Sequence, residues 1–572
     1  MAALCGILGK NDPDAVREMA RAMAHRGDAV HLESGSHYAV ACSDPPGKTP
    51  CLIDGAPRTS AGVLDAKGFR KQCGNAEKPG GLALQGPFAA VVKVKGNNEW
   101  WLLRDRLGVK PLYYYYSAGC LVFASELKGL LASGHAPRRL NLLSVDRYLT
   151  LRCTPGPETI LQDIRRVKSG HAVVFEDGTA VETPFAQFDL EQVDTTKEDA
   201  AHELETRLVE GIQHNGAEGL LWSGGLDCAS LAAIEPSAHP VHVLLQSSWQ
   251  SEQRLARESA KRLRLEVDER KARRLNDATI RRALRYIEEP IGDASILPLW
   301  LVIEEAAKSE TTLMTGHGAD ELLGGYPRYH FIDKAPGSAR SLVPVNLLAA
   351  LQPALPPNAF IQRGGHVLAN IRDNLGAYLS ALAVFSESER DDLYTEAMKT
   401  VVHEHGGSTS IMEEHFAQQD LAQSQLSFDL GVTLPDVILA QCDRVASAHG
   451  VDMHFPYLDD GLVDLVNSLP SKVKFGVRSK PLLRLAMKGR LPARIRTRAR
   501  RGFRIPQDGP VMKTIEQFAE NTLTQERIEA SGLFRWAPVQ KIMRGHSHNI
   551  YRRRQFWALL LFFGWYREIM ES

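Results

Sequence analysis

The feature that most constrains this chain is an apolar run that breaks on two glycines and restarts as a helix: LLWSGGLDCAS, residues 220–230. The glycines let the backbone fold closely around an anion. The helix that follows aims free N–H groups and the positive end of its dipole at the same point. Ser223, Gly224, Gly225, Leu226 and Asp227 make the turn, so a phosphate is the expected guest, and Asp227 is placed to hold a Mg2+ that bridges phosphates. No lysine follows the glycines, so this is not the common lysine-bearing phosphate loop. Taken alone, a Ser-Gly-Gly turn is also how many ordinary strands end.

A companion narrows the reading. In MTGHGADELLGGYPRY, residues 314–329, a second apolar run ends in a glycine turn followed by Asp320 and Glu321. Parallel strands bring such turns side by side at one sheet edge. Asp227 and Asp320 are therefore expected to share one Mg2+. The plainer alternative is a pair of acids suited to a helix N-terminus.

The surrounding texture fits a parallel sheet. Short apolar runs at 220–222, 241–245 and 311–314 alternate with helical patterns, the rhythm of βαβ units. Leu204, Leu208 and Ile212 predict an amphipathic helix over 196–212, with Thr195 and Glu198 at capping-box spacing. Residues 183–196 read as a linker, and the chain from about 327 onward is largely helical in pattern. The first 185 residues or so read differently. Runs at 89–94, 111–116 and 120–125 predict strands, residues 171–182 a hairpin about Asp177-Gly178, and residues 14–24 a helix.

Bulk numbers remove several functional classes. Over 572 residues, 68 basic and 68 acidic side chains cancel, so no global field favours nucleic acid or an anionic membrane. Eight scattered cysteines without a CxxC pair argue for a reducing compartment and against a disulfide framework or zinc site. FWALLLFFGW, residues 556–565, is too short to span a bilayer and reads as a buried helix or strand. With no secretory pattern in MAALCGILGK, a cytoplasmic protein is expected.

SGGLD, then EEPIGDASILP (288–298), then TGHGADELLGGYPRY (315–329) closely resemble the synthetase domain of the asparagine synthetases. LAQCDRVASAHGVDMHFPYLDDGLVD (439–464), SKPLLRLAM (479–487) and RRGFRIP (500–506) are similar to the same family. LLRDRLGVKPLYYYYSAGCLVFASELKGLL (102–131) resembles the end of its glutaminase domain, and CGILG (5–9) its opening. The resemblance covers nearly the whole chain. It implies an α+β N-terminal αββα sandwich of the N-terminal-nucleophile (Ntn) type over 1–190. Over 195–572 it implies an α/β parallel-sheet ATP-pyrophosphatase domain with a helical C-terminal part.

The resemblance also implies a chemistry. ATP would sit on Leu221, Ser223, Gly224, Gly225, Leu226, Asp227 and Gly316, with Mg2+ on Asp227 and Asp320. A carboxylate, aspartate or an analogue, would attack the α-phosphorus to give an acyl-adenylate. Ammonia drawn from glutamine, or another amine, would then displace AMP. Lys480 would stabilise developing negative charge, and Glu289 or its neighbour Glu288 would orient the amine or adenylate. Cys5 would be the glutaminase nucleophile, served by its own α-amino group, beside a glutamine pocket that includes Arg26, Asp54 and Gly55. A homodimer is the assembly to test.

The chain departs from the family at telling places. Cys228 follows Asp227 where the family has serine, and a thiol is the weaker donor. His317 stands between Gly316 and Gly318 where asparagine synthetases have glutamate. It can act as a general base on an amine or merely satisfy a loop hydrogen bond. Met1 to Leu4 precede Cys5, which therefore has no free α-amine as written. Asp28-Ala29 replaces Pro-Asp after His25-Arg26-Gly27, no arginine lies at 41–43, and Asp54-Gly55-Ala56 replaces Asn-Gly-Glu. No acidic residue between 73 and 86 clearly matches the family's ligand for the glutamine α-amine. Three readings stay open: an asparagine synthetase; an amide or lactam synthetase for another carboxylate and amine with an inactive glutaminase; and a non-catalytic nucleotide-binding paralogue.

Overall fold

The structure, a computed structural model, describes residues 2–27, 30–43, 50–94, 98–186, 191–245, 250–326, 329, 382–408, 421–476, 478–498, 505, 509–547 and 550–571. Asp28-Ala29, Pro327-Arg328, all of RRGFRIP but Ile505, and most of the segment 331–422 lie outside the described residues.

Strand β1 (Leu4–Leu8) is buried at every residue, as a strand covered on both faces must be. It lies inside a six-stranded sheet with β2 (His31–Gly35), β3 (Tyr38–Cys42), β9 (Tyr113–Ser117), β10 (Cys120–Ala124) and β11 (Ile164–Arg166), in the order β11-β9-β10-β1-β3-β2. A second sheet is ordered β13-β12-β8-β7-β4, from β4 (Cys51–Gly55), β7 (Phe88–Lys93), β8 (Trp100–Arg104), β12 (His171–Glu176) and β13 (Thr179–Pro184). All these pairings are antiparallel. A two-residue pair, β5 (Arg58–Thr59) and β6 (Gly62–Val63), stands apart.

Leu4, Leu8, Val40 and Phe123 of the first sheet meet Leu52, Val91, Leu102 and Phe175 of the second in one apolar layer. Helix Pro13–Ala22 covers the outer face of the first sheet through Val16 and Met19. Helix Ala66–Asn75 covers the second through Phe69 and Cys73, against Trp101 and Leu103. The result is the expected αββα sandwich. The hairpin about Asp177-Gly178 is β12 and β13, and its second strand extends into the stretch read as a linker.

Helix Lys197–Asn215 then crosses to the second half. Its cap is one residue later than the sequence spacing implied: Thr196 Oγ1, not Thr195, accepts the Asp199 N–H at 3.1 Å. Burial of Ala200, Leu204, Leu208 and Ile212 sets the phase of the helix and so the position of its cap. A five-stranded sheet follows in the order β16-β15-β14-β17-β18: β14 (Gly219–Leu221), β15 (His239–Leu244), β16 (Asp268–Lys271), β17 (Thr312–Met314) and β18 (Asp452–His454). Every pairing is parallel. β18, three residues inside a region read as helical, completes the edge beside β17. FWALLLFFGW lies in helix Ile550–Ile569, with Phe562 and Trp565 fully buried. Among the described residues no helix is long and apolar enough to cross a membrane.

Candidate active site

Strands β14 and β17 pair directly, Gly219 opposite Leu313 and Leu220 opposite Met314, so both glycine turns leave the same edge of the sheet. The turns touch. A Cβ on Gly316 would lie 2.8 Å from the Asp227 Cβ and 3.3 Å from the Cys228 nitrogen. Gly224 has φ +70°, and a Cβ there would press to 2.6 Å from the Ala256 Cα. Each glycine is demanded by backbone approach, and Gly224 also by its left-handed conformation. Leu221 ends β14, and Leu226 and Asp227 open helix Leu226–Ile234, which Gly225 caps without a side-chain bond. A helix N-terminus without a side-chain cap suits an anion.

Lys480 is brought to this edge from far along the chain. Its ammonium lies 2.6 Å from Asp227 Oδ1 and 2.7 Å from Asp320 Oδ1, and the residue is buried. Burial alone would lower its pKa; Asp227 and then Asp320 outweigh it and hold the ammonium above the ordinary lysine range. The backbone at Lys480 is left-handed, φ +52° and ψ 52°, a conformation a side chain with a Cβ adopts only under constraint. Two carboxylates converging on one cation are close enough to share a divalent ion with substrate phosphates, the way Mg2+ is commonly held. Among the described residues there is no group of three or more His, Cys, Asp or Glu placed to cage a metal.

His317 lies in the second turn, with Nδ1 2.7 Å from Thr315 Oγ1. Burial pushes its pKa below the ordinary value, with Lys480 acting the same way and Asp320 opposing. The imidazole is neutral near pH 7 and able to accept a proton. Beside it, Glu321 is buried and accepts the Tyr326 hydroxyl, and burial with the Asp320 charge raises its pKa. Cys228, where serine was the family expectation, accepts the Ser223 hydroxyl at 3.3 Å. The thiol therefore takes part in the turn as an acceptor.

Glu289, expected to orient the amine or adenylate, meets residues of the N-terminal half. Its oxygens accept the Tyr113 hydroxyl at 3.2 Å, the Ile160 N–H at 2.9 Å and Arg166 Nε at 2.9 Å. Glu288, at φ +68°, accepts the Lys128 N–H at 3.0 Å and pairs with its ammonium at 2.9 Å. All these partners belong to the N-terminal half. Both acids join the halves, and saturation by fixed cations and donors keeps Glu289 from presenting a free carboxylate to an amine.

The residues expected to line a glutamine pocket pair with protein groups. Arg26 is buried and donates to Glu126 at 2.8 Å, to Asp54 at 2.9 Å and to Asp443 at 3.0 Å. Asp54 also accepts the Ala2 N–H at 2.9 Å, and Gly55, φ +101°, turns the chain tightly over the Pro87 carbonyl. Cys5 is an internal residue of β1, paired with Ala124 on one side and Ala41 on the other. It is fully buried, and burial, then Cys42, push its thiol far up. An N-terminal nucleophile needs a reachable thiolate; within this strand the Cys5 thiol is buried. Ala3 and Leu4 before it are anchored on the Ser43 and Ser125 hydroxyls at 3.0 Å each.

Other residues of the site escaped the sequence reading. Tyr457 donates to the Asp227 carbonyl at 3.0 Å, Arg498 to the Gly224 carbonyl at 3.2 Å, and Arg484 to the Ser479 carbonyl at 2.6 Å. Only Arg484 left a trace, as the arginine that closes the KPLLR segment four residues after Lys480.

A family model described as asparagine synthase matches residues 213–567, and one for a glutamine amidotransferase domain matches residues 78–186. This chain belongs to the asparagine synthase family. Its relatives include the glutamine-hydrolyzing asparagine synthetase 1 of Bacillus subtilis (strain 168), 22% identical over 509 residues, covering 86% of this chain and 78% of that protein. Amidase chry2 of Gibberella zeae is 21% identical over 527 residues, covering 81% and 76%. As a member of the family the chain is an ATP-dependent carbon–nitrogen ligase.

Proposed function

We propose that the site between the two glycine turns activates a carboxylate as its adenylate and passes the acyl group to an amine that arrives without help from Cys5. The observation that carries this reading is the placing of the Lys480 ammonium between Asp227 and Asp320 at the mouth of a helix N-terminus. In the first step a substrate carboxylate oxygen bonds to the α-phosphorus of ATP and pyrophosphate leaves. The turn residues 223–227 and the helix N-terminus bind the phosphates. Asp227 and Asp320 would hold Mg2+, which offsets phosphate charge when bound. Lys480, displaced toward the phosphates, stabilises charge developing on the transferred groups. In the second step the amine nitrogen attacks the acyl carbon, AMP leaves with the electron pair of the broken bond, and the amine proton passes to neutral His317.

Aspartate with ammonia is the first substrate pair to test. A different carboxylate and amine is the second reading, favoured by an imidazole at 317. Eight cysteines, none in a disulfide, agree with work in the cytoplasm. The test is incubation with ATP, Mg2+ and aspartate, with ammonium or glutamine in parallel, following AMP, asparagine and glutamate. Asparagine and AMP with ammonium, without glutamate from glutamine, is the expected outcome. AMP formed only with another acid would select the second reading. Glutamate from glutamine would overturn the claim about Cys5.

A further inference from the structure

Lys480 holds a costly backbone conformation, and something must hold it there. The residue before it supplies the handle. Ser479 presents its carbonyl to Arg484 Nε at 2.6 Å and its hydroxyl to Arg484 Nη2 at 3.2 Å. The same guanidinium reaches a separate stretch of chain. Nη2 donates to the Arg498 carbonyl at 3.0 Å, and Nη1 donates to the Arg496 carbonyl. Arg496 returns the contact, donating to the Arg484 carbonyl at 3.3 Å. Arg498 in turn donates to the Gly224 carbonyl at 3.2 Å and the Ser259 hydroxyl at 2.9 Å, and that hydroxyl donates to Gly224 at 2.8 Å. A closed circuit results: phosphate turn, Arg498, Arg484, Ser479, Lys480, and back through Asp227 to the phosphate turn.

We propose that Arg484 is a positioning residue: its guanidinium bridges the Ser479 peptide to the 496–498 chain, keeps Lys480 left-handed, and thereby fixes the Lys480 ammonium relative to the glycine turn. The claim rests on the reading of Lys480 as the cation of the reaction. It adds that placement, not charge alone, is what the site takes from Arg484. The named partners of Arg484 are neutral oxygens spread over two chain segments. A planar fork of five donors spans them, and a single ammonium on a flexible stem does not.

Charge and geometry therefore separate experimentally. Arg484→Lys keeps the charge and loses the fork; Arg484→Ala loses both. Both variants are expected to lower kcat for AMP formation by about 10- to 100-fold, with KM for ATP changed by less than about 3-fold, because a small misplacement of a catalytic group costs rate rather than binding. Guanidinium ion at millimolar concentration should restore part of the Arg484→Ala rate and none of the Lys480→Ala rate. A crystal structure of the full-length Arg484→Lys protein supplies a readout independent of turnover. Lys480 should leave the left-handed region, and its ammonium should leave one of the two carboxylates. Arg484→Lys with wild-type kcat, or with Lys480 unmoved in the crystal, would overturn the proposal. Should the wild-type protein release no AMP with any acid while Lys480 moves in the variant, the reaction assignment fails and the positioning role stands.

Discussion

Gly316 and Asp227 sit so close that one added methyl group cannot fit between them: a Cβ at 316 would come within 2.8 Å of the Asp227 Cβ. The two turns are thus one backbone-packed unit. Gly316→Ala should force the strands' ends apart while leaving the sheet intact. The expected result is a fall of about 10- to 100-fold in kcat for AMP release, with little change in thermal midpoint. An unaltered rate would show that the contact does not set the site.

Replacing Lys480 by Met leaves Asp227 and Asp320 facing each other without their shared cation. AMP formation should drop by about 100- to 1,000-fold, the loss expected when a fixed electrostatic group is removed from a transition state. Mg2+-dependent ATP binding should survive, since both carboxylates remain and lose a competing cation. Calorimetric titration with a non-hydrolysable ATP analogue checks the second half, and weaker binding would assign Lys480 to the ground state.

His317 predicts an acid limb. Its folded-state pKa lies below the ordinary 6.5, so the unfolded chain takes up the proton first as pH falls. Stability contributed by neutral His317 is complete above that value and is lost as pH falls from there through the folded-state pKa. Activity should follow, because the protonated ring cannot accept the amine proton. In His317→Gln the acid limb of kcat should flatten at a lower plateau rate; an unchanged limb would assign it to another group.

Cys5 should be silent to alkylation. Iodoacetamide on the native protein, read by peptide mass spectrometry, should leave Cys5 unmodified until denaturant is added, since both its burial and its raised thiol pKa oppose attack. Rapid modification of Cys5, blocked by glutamine, would mean the first strand opens to substrate.

Arg26 is the hub of a buried charge cluster with Glu126, Asp54 and Asp443. Arg26→Met strands those carboxylates without their common partner, which should cost about 3–5 kcal/mol of stability. Urea unfolding measures it. The double change Arg26→Met with Asp54→Asn should recover part of the loss.

The glycine turns were legible because each residue in them has a local reason to be there: glycines for close approach, acids after them, apolar strands before. Long-range orientation was not. Nothing in EEP tells that Glu289 faces Tyr113 and Arg166, far back along the chain, because a motif records residue types and not which neighbour claims them. β18 hid for a related reason. DMH is three residues long, too short to show an alternating pattern, and it is a strand only because β17 offers an edge. The strain at Lys480 was invisible as well, since lysine carries no signature of a left-handed backbone. The charge cluster around Arg26 was half visible. The departures from the family showed in the sequence, while the carboxylates that meet Arg26, Glu126 and Asp443, come from distant segments.

The apolar interior crosses from one half of the molecule to the other. Ile7, Met19 and Val122 share one continuous cluster with Leu208, Trp300 and Phe562. The first half is therefore wall as well as neighbour to the second. Whatever chemistry Cys5 carries, the sandwich around it has a second task, because its removal would open the ligase core to water. A change in the buried face of the first half is therefore a change in the support of the second.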